Sequence, residues 1–149
     1  MITIAVERIV PVAPRSLIDR IWSGVEWRPA RSGVKALAID YDDGLHQSVQ
    51  VCVGWRSGHL PMSVMRFREG TSRISYFYSR PPSGVAKQIG LWEARPAGGG
   101  CRLLLVRMME LARRSGETDS SFRMRETAHG EMLRQHLGMT LDVVAEARG

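Results

Sequence analysis

The chain has 149 residues, 44% of them hydrophobic, which is enough apolar material for one well-buried core and too little for two ordinary domains, so a single domain over 1–149 is expected. Its formal net charge is +6, yet only Lys35 and Lys87 among the 21 basic residues are lysine, and the arginines are spread along the chain instead of forming a tract, which argues against a nucleic-acid partner. Apolar runs such as Leu103 to Val106 are too short and too closely flanked by charge to cross a membrane, and the start Met1 to Arg8 lacks the pattern of a secretory signal, so a cytoplasmic, membrane-free chain is expected.

Residues 2–10 alternate apolar and polar, with β-branched Ile2, Ile4, Val6 and Val10, and predict a half-buried strand. Pro14 then stands at a helix-start position, and Leu17, Ile18, Ile21 and Trp22 recur at helical spacing until Gly24. The stretch from Val25 to Pro29 reads as a turn or a second short helix, because Pro29 pushes its predecessor away from helical geometry. Six apolar runs follow, at 34–41, 45–55, 60–68, 72–79, 87–95 and 101–111. Turn residues separate them: Asp42-Asp43-Gly44, Ser57-Gly58, Glu69-Gly70-Thr71, Pro81-Pro82-Ser83-Gly84 and Gly98-Gly99-Gly100, the chemistry of tight hairpins. Beyond Ser115-Gly116 the period becomes helical, with Asp119 or Ser120 as N-cap and an apolar stripe at Met132, Leu133, Leu137, Leu141 and Val144. A helix of that length must bury its stripe, and the concave side of a seven-strand sheet is the surface on offer. The expected class is α+β: a curved, seven-stranded antiparallel sheet wrapped around a long C-terminal helix, with two short helices after the first strand and an internal pocket for a small hydrophobic molecule.

Cys52 and Cys101 lie in strand-like runs where free cysteine behaves as a small buried hydrophobe, so no disulfide is expected. His46, His59, His129 and His136 are scattered without metal-ligand spacing, so no metal is expected either.

This order of elements resembles the helix-grip fold of the START, Bet v 1 and polyketide cyclase superfamily. Three pieces are similar to the tetracenomycin-type aromatase/cyclases of aromatic polyketide synthesis. Val12-Ala13-Pro14, a helix and then Glu26-Trp27-Arg28-Pro29 look like that family's opening. Met65-Arg66 with Arg73 seven residues on is similar to its strand, turn and strand, where the first arginine points into the cavity and is held to be catalytic. Pro82-Ser83-Gly84, then Gly90-Leu91-Trp92 and a Gly-Gly turn look like its proline turn, tryptophan strand and glycine hairpin. The family's tyrosine after the first helical region has no counterpart in Ala30-Arg31-Ser32-Gly33-Val34. The resemblance implies a cyclase, aromatase or dehydratase of secondary metabolism such as antibiotic biosynthesis, working without cofactor as a monomer or homodimer. A non-catalytic carrier or sensor of a lipid, quinone or terpenoid is the alternative that the same fold allows.

Arg66 leads the candidate catalytic residues. Alternation sets Met62, Val64, Arg66 and Arg68 on one face of their strand and Ser63, Met65 and Phe67 on the other. A guanidinium in a partly dry cavity offers forked donors to a carbonyl or enolate oxygen, whereas on an outward face it simply snorkels into water. Tyr76 and Tyr78 share a face with Ile74, where their hydroxyls either orient a ligand carbonyl or pack with a satisfied partner. His129, on the last helix, is a candidate base near neutral pH, against the reading of a packed or solvent-facing ring. Trp27, Met62, Met65, Trp92, Met108, Met132 and Leu133 are the expected substrate walls, with Trp55 a further one. Glu110 is expected to pair with Arg107 or Arg66, or to face water. Arg113, Arg114, Arg123 and Arg125 flank the loop before the last helix, where they either stay solvated or dock an acidic acyl carrier protein bearing the substrate.

Overall fold

Alternating burial along the strands sets the architecture, since residues two apart share a face of a sheet. A computed structural model describes residues 1–29, 32–55 and 58–147, without the Trp55 side chain. The wall assigned to Trp55, the Ser57 part of its turn and positions Ala30 and Arg31 therefore lie outside the described residues. The elements are β1 (Ile2–Val10), α1 (Pro14–Trp22), one 3₁₀ turn (Val25–Trp27), β2 (Val34–Asp42), β3 (His46–Trp55), β4 (Gly58–Glu69), β5 (Arg73–Arg80), β6 (Val85–Ala97), β7 (Gly100–Leu111) and α2 (Asp119–Glu146). The strands form one antiparallel sheet in the order β1-β7-β6-β5-β4-β3-β2, with α2 across its concave side, which is the expected α+β helix-grip arrangement.

Pro14 opens α1 with its φ already suited to a helix, and Gly24 ends the segment in a left-handed conformation at φ 82°. Between them Leu17, Ile18, Ile21 and Trp22 face inward and are fully or almost fully buried. α2 is capped by Thr118, whose hydroxyl accepts the Ser121 amide at 3.1 Å; this corrects the expected cap at Asp119 or Ser120. Asp119 instead occupies the first turn, where its charge complements the helix dipole. Leu133, Leu137, Leu141 and Val144 join the core with Ile2, Ile4, Leu103 and Leu105. Arg8 donates to Asp142 at 2.7 Å and the N-terminal ammonium to Glu126 at 3.3 Å, fastening the outer side of α2 to β1.

Both cysteines are free, Cys101 buried and Cys52 half-buried. No described helix is long and apolar enough to cross a membrane.

The strand registers line up one row of directly opposed residues across the whole sheet. From the β2 edge to the β1 edge it reads Asp42, Gln47, Arg66, Tyr76, Gly90, Arg107 and Ile4. All but the last two positions at its β1 end and the glycine belong to hydrogen-bonded polar side chains that point to the concave side, and Arg107 joins them through Tyr76.

Candidate cavity site

The row runs beneath a cavity of about 100 Å³ between the sheet and the C-terminal half of α2. Val51, Met62, Val64 and Trp92 give it apolar walls, and Trp27 closes one side from the 3₁₀ turn. His136, Met139, Thr140 and Val143 of α2 complete it, spaced as one face of a helix. His136 and Met139 keep accessible surface where the cavity opens to solvent.

Arg66 is 1% exposed and its donors are largely spent on protein. Nε donates to Gln47 Oε1 at 2.7 Å, Nη1 to Glu26 Oε1 at 2.8 Å, and Nη2 to the Ile21 and Trp22 carbonyl oxygens at 2.8 and 2.9 Å. Those carbonyls belong to the last turn of α1, where Ile21 O also accepts the Gly24 amide at 3.0 Å and the helix dipole favours a cation. The guanidinium also lies 4.6 Å from the Trp27 ring centroid and 5.6 Å from that of Trp22. Gln47 continues the network, its amide donating to Trp22 O at 2.9 Å and to Asp42 Oδ2 at 3.1 Å. Trp22 Nε1 donates to Asp42 Oδ1 at 3.1 Å. Arg66 thus points inward, as alternation predicts, but four of its five N–H groups serve as a strut between α1, the 3₁₀ turn and β3.

Glu26, which sequence reasoning quoted without giving it a role, is the acid this strut holds. Its Oε1 is bound to Arg66, while Oε2 is buried and has no hydrogen-bond partner. Burial pushes its carboxyl above the ordinary carboxylate range, with Arg66 and then its own backbone amide pulling the other way. Among the described residues the other orphaned buried side-chain atom, Gln88 Oε1, stands opposite Met109 and away from the cavity.

Arg107 is the second inward cation. Its Nε donates to the Tyr76 hydroxyl at 3.1 Å, and that hydroxyl donates to Val106 O at 3.2 Å. Its guanidinium lies 5.5 Å from the Tyr76 centroid and 5.7 Å from that of Tyr78. No protein acceptor takes Nη1 or Nη2 among the described residues, so this fork, unlike that of Arg66, is available to the cavity. Burial holds the Tyr76 phenol above its usual pKa, and it stays protonated at neutral pH. Burial and the Arg107 charge together hold His136 below the ordinary 6.5.

Tyr76 reaches Arg107 across β6 because the intervening residue is Gly90. A Cβ at Gly90 would collide with the Tyr76 hydroxyl and ring and with the Val106 carbonyl.

Of the sequence-predicted residues, Arg66, Tyr76, Tyr78, Trp27, Met62 and Trp92 come together on the cavity. His129, Met65, Met108, Met132 and Leu133 do not line it. His129 sits two turns before His136, where α2 packs on β1, and its Nδ1 is 3.1 Å from Arg125 O. Met65 and Met108 follow Val64 and Arg107 and therefore take the opposite face of the sheet. Met132 projects into solvent, 61% exposed, and Leu133 is packed in the α2–β1 core. Glu110 is exposed and Arg73 pairs with Glu93 at 3.0 Å, so neither touches the cavity cations. In the basic loop, Arg113 bonds Asp119 at 2.7 Å and Arg125 bonds Glu117 at 2.8 Å. Among the described residues, no group of three or more His, Cys, Asp or Glu side chains stands together to hold a metal ion.

No protein-family model and no curated protein matches the sequence. Solved structures do match the fold. The Zhui aromatase/cyclase from Streptomyces sp. R1128 superposes with a TM-score of 0.77 at 13% identity, over 96% of this chain and 90% of that one. The di-domain aromatase/cyclase StfQ from the steffimycin biosynthetic pathway gives 0.81 at 13% identity, over 97% of this chain and 50% of that one. A START superfamily protein from Mycobacterium smegmatis gives 0.70 at 16% identity, over 98% of both chains. The chain therefore has the START/Bet v 1-like fold, in a form that polyketide aromatase/cyclases share.

Proposed function

We propose that the protein is an enzyme of the polyketide cyclase, aromatase or dehydratase kind, acting without cofactor on an oxygenated hydrophobic intermediate of secondary metabolism. One observation carries the reading: an unpartnered carboxylate oxygen, a free guanidinium fork and two phenols converge on an otherwise apolar cavity. A simple lipid carrier has no use for such a set, because every buried polar group costs free energy unless it is matched.

In an aldol closure, Glu26 Oε2 takes a proton from the methylene between two carbonyls while the enolate oxygen that develops is held by Arg107, with Tyr76 keeping that fork in place. The enolate carbon attacks a second carbonyl, a carbon–carbon bond forms, and the new alkoxide recovers the proton from the Glu26 carboxyl. Loss of a further α-proton and of hydroxide as water then gives the unsaturated ring. The raised pKa of Glu26 suits a group that takes a proton and returns it. The walls given by Trp27, Met62 and Trp92 fold the chain for a single closure, and orientation of that kind is a large part of such catalysis.

An acyl carrier protein remains a proposed donor, but the basic loop is poorly sited for it. Arg123 and Met139 are sixteen residues apart on α2, which at 1.5 Å per residue sets the loop about 24 Å from the cavity mouth.

The test is turnover of a short poly-β-ketone thioester, followed by mass spectrometry for loss of water. Glu26→Gln is expected to lower kcat by about 10²–10⁴-fold, the usual weight of a general base. Closure at the uncatalysed rate with the wild-type protein, alongside tight binding of the same compound, would favour the carrier reading.

A further inference from the structure

Among the described residues, two guanidinium groups and one carboxylate face the cavity, and the carboxylate is shared unequally. Arg66 holds Glu26 in a direct ion pair. Arg107 has no carboxylate in ion-pair contact among the described residues; its protein partners are the Tyr76 hydroxyl and two phenol rings. His136 adds no negative charge, and burial and the Arg107 charge lower its pKa. The described lining of the cavity therefore carries one positive charge more than its own side chains neutralise. A cation removed from bulk water without a counter-ion is costly, and an occupant bearing the opposite charge offsets that cost.

Shape sets the rest. The interior, about 100 Å³, is smaller than the roughly 150 Å³ cavity that takes benzene in an apolar core. An occupant with a charged group at Arg107 thus extends its ring past Met62 and Trp92 toward the mouth at Met139.

We propose that the occupant is a compact acid: a carboxylate, or the ionised enol or phenol of a conjugated carbonyl compound, whose negative oxygens accept from Arg107 Nη1 and Nη2. An adjacent hydroxyl on the same molecule donates to Glu26 Oε2. The proposal rests on the reading of the cavity as a ligand site and narrows it, from any hydrophobic intermediate to one that arrives already acidic.

The experiment is isothermal titration of the full chain at low salt with three probes: salicylate, benzoate and the neutral salicylamide. Salicylate is expected to bind at least about tenfold more tightly than salicylamide, as a charge-assisted forked bond implies, with benzoate between them for want of the hydroxyl. Arg107→Gln is expected to bring salicylate and salicylamide to within about twofold of each other. Should that variant fail to fold by circular dichroism, Arg107→Lys carries the test: it keeps the charge but not the fork, and must weaken salicylate while still preferring it to the amide. Equal binding of salicylate and salicylamide by the wild type, an anion preference that survives in Arg107→Gln, or no binding of either anion overturns the proposal. Ring closure without anion preference would leave the enzyme reading standing alone; anion binding without ring closure would do the reverse.

Discussion

Arg66 Nη1 donates to Glu26 Oε1 at 2.8 Å, and the Nη2 of the same guanidinium bonds both terminal carbonyls of α1. The residue that fixes the helix end is also the one that aims the acid. Its position in the cavity wall therefore coexists with a structural role that spends four of its five N–H groups on protein.

Replacing Arg66 by Met should accordingly cost stability first. It strands Glu26 Oε1 and Gln47 Oε1 in a dry site, while the Ile21 and Trp22 carbonyls keep the Gly24 amide and the Gln47 side chain, and the loss of one partner of a buried ion pair gives about 3–5 kcal/mol. Urea unfolding measures this. A variant that keeps its stability and loses only turnover would mean that Arg66 acts on the substrate directly.

Gly90→Ala should leave the fold and damage the site. The added methyl meets the Val106 carbonyl oxygen as well as the Tyr76 hydroxyl and ring, so β7 must give locally while Tyr76 is driven away from Arg107, an overpacking cost of at least about 1–3 kcal/mol. The near-ultraviolet circular dichroism of the tyrosines should change while the far-ultraviolet spectrum does not, and salicylate affinity should fall. Unchanged affinity would remove Tyr76 from the set of groups that hold the fork.

The imidazole of His136 reports on the same guanidinium. Burial and then the Arg107 charge hold its pKa below 6.5, so Arg107→Gln should raise it, and so should saturation with salicylate. Proton NMR of the ring C2–H against pH gives the value directly. No movement in either case would place the positive charge elsewhere.

Acid stability should depend on Glu117, whose pairing with Arg125 holds its carboxyl down to about 2. A lowered carboxyl binds its proton less readily in the folded state than in the unfolded one. Its contribution is thus complete above the ordinary 4.5 and is lost as pH falls toward 2. The wild type should therefore lose Tm more steeply than Glu117→Gln between these limits. Parallel curves would show that the pair contributes nothing to folding.

The sheet was legible in the sequence because each strand alternates and each hairpin carries its own turn residues; every strand stands within about three residues of its predicted run. Arg66, Tyr76 and Tyr78 were legible for the same reason. Arg107 carried the same signal, in phase with Cys101, Leu103, Leu105 and Met109, but a lone arginine in a strand reads first as a charge that snorkels to the surface. Glu26 was hidden differently: a glutamate between Gly24 and Pro29 looks like a solvated turn, and only Arg66, forty residues away, makes it a buried acid. His136 and His129 are seven residues apart and share a helix face. What separates them is how far along α2 the cavity extends, which is a property of the tertiary packing and is absent from helical periodicity.

The row from Asp42 to Arg107 makes the site a product of alignment between strands, and this separates the fate of the chemistry from the fate of the fold. A two-residue insertion at one hairpin tip keeps every side chain on its proper side, yet it slides one member of the row by about 7 Å along its strand, enough to break the set. The sheet would still close around α2 with its apolar positions inward. Hairpin length is therefore as direct a control on what this scaffold recognises as any side chain in the cavity, and chains of the same shape can part company in their chemistry without exchanging a single residue of the core.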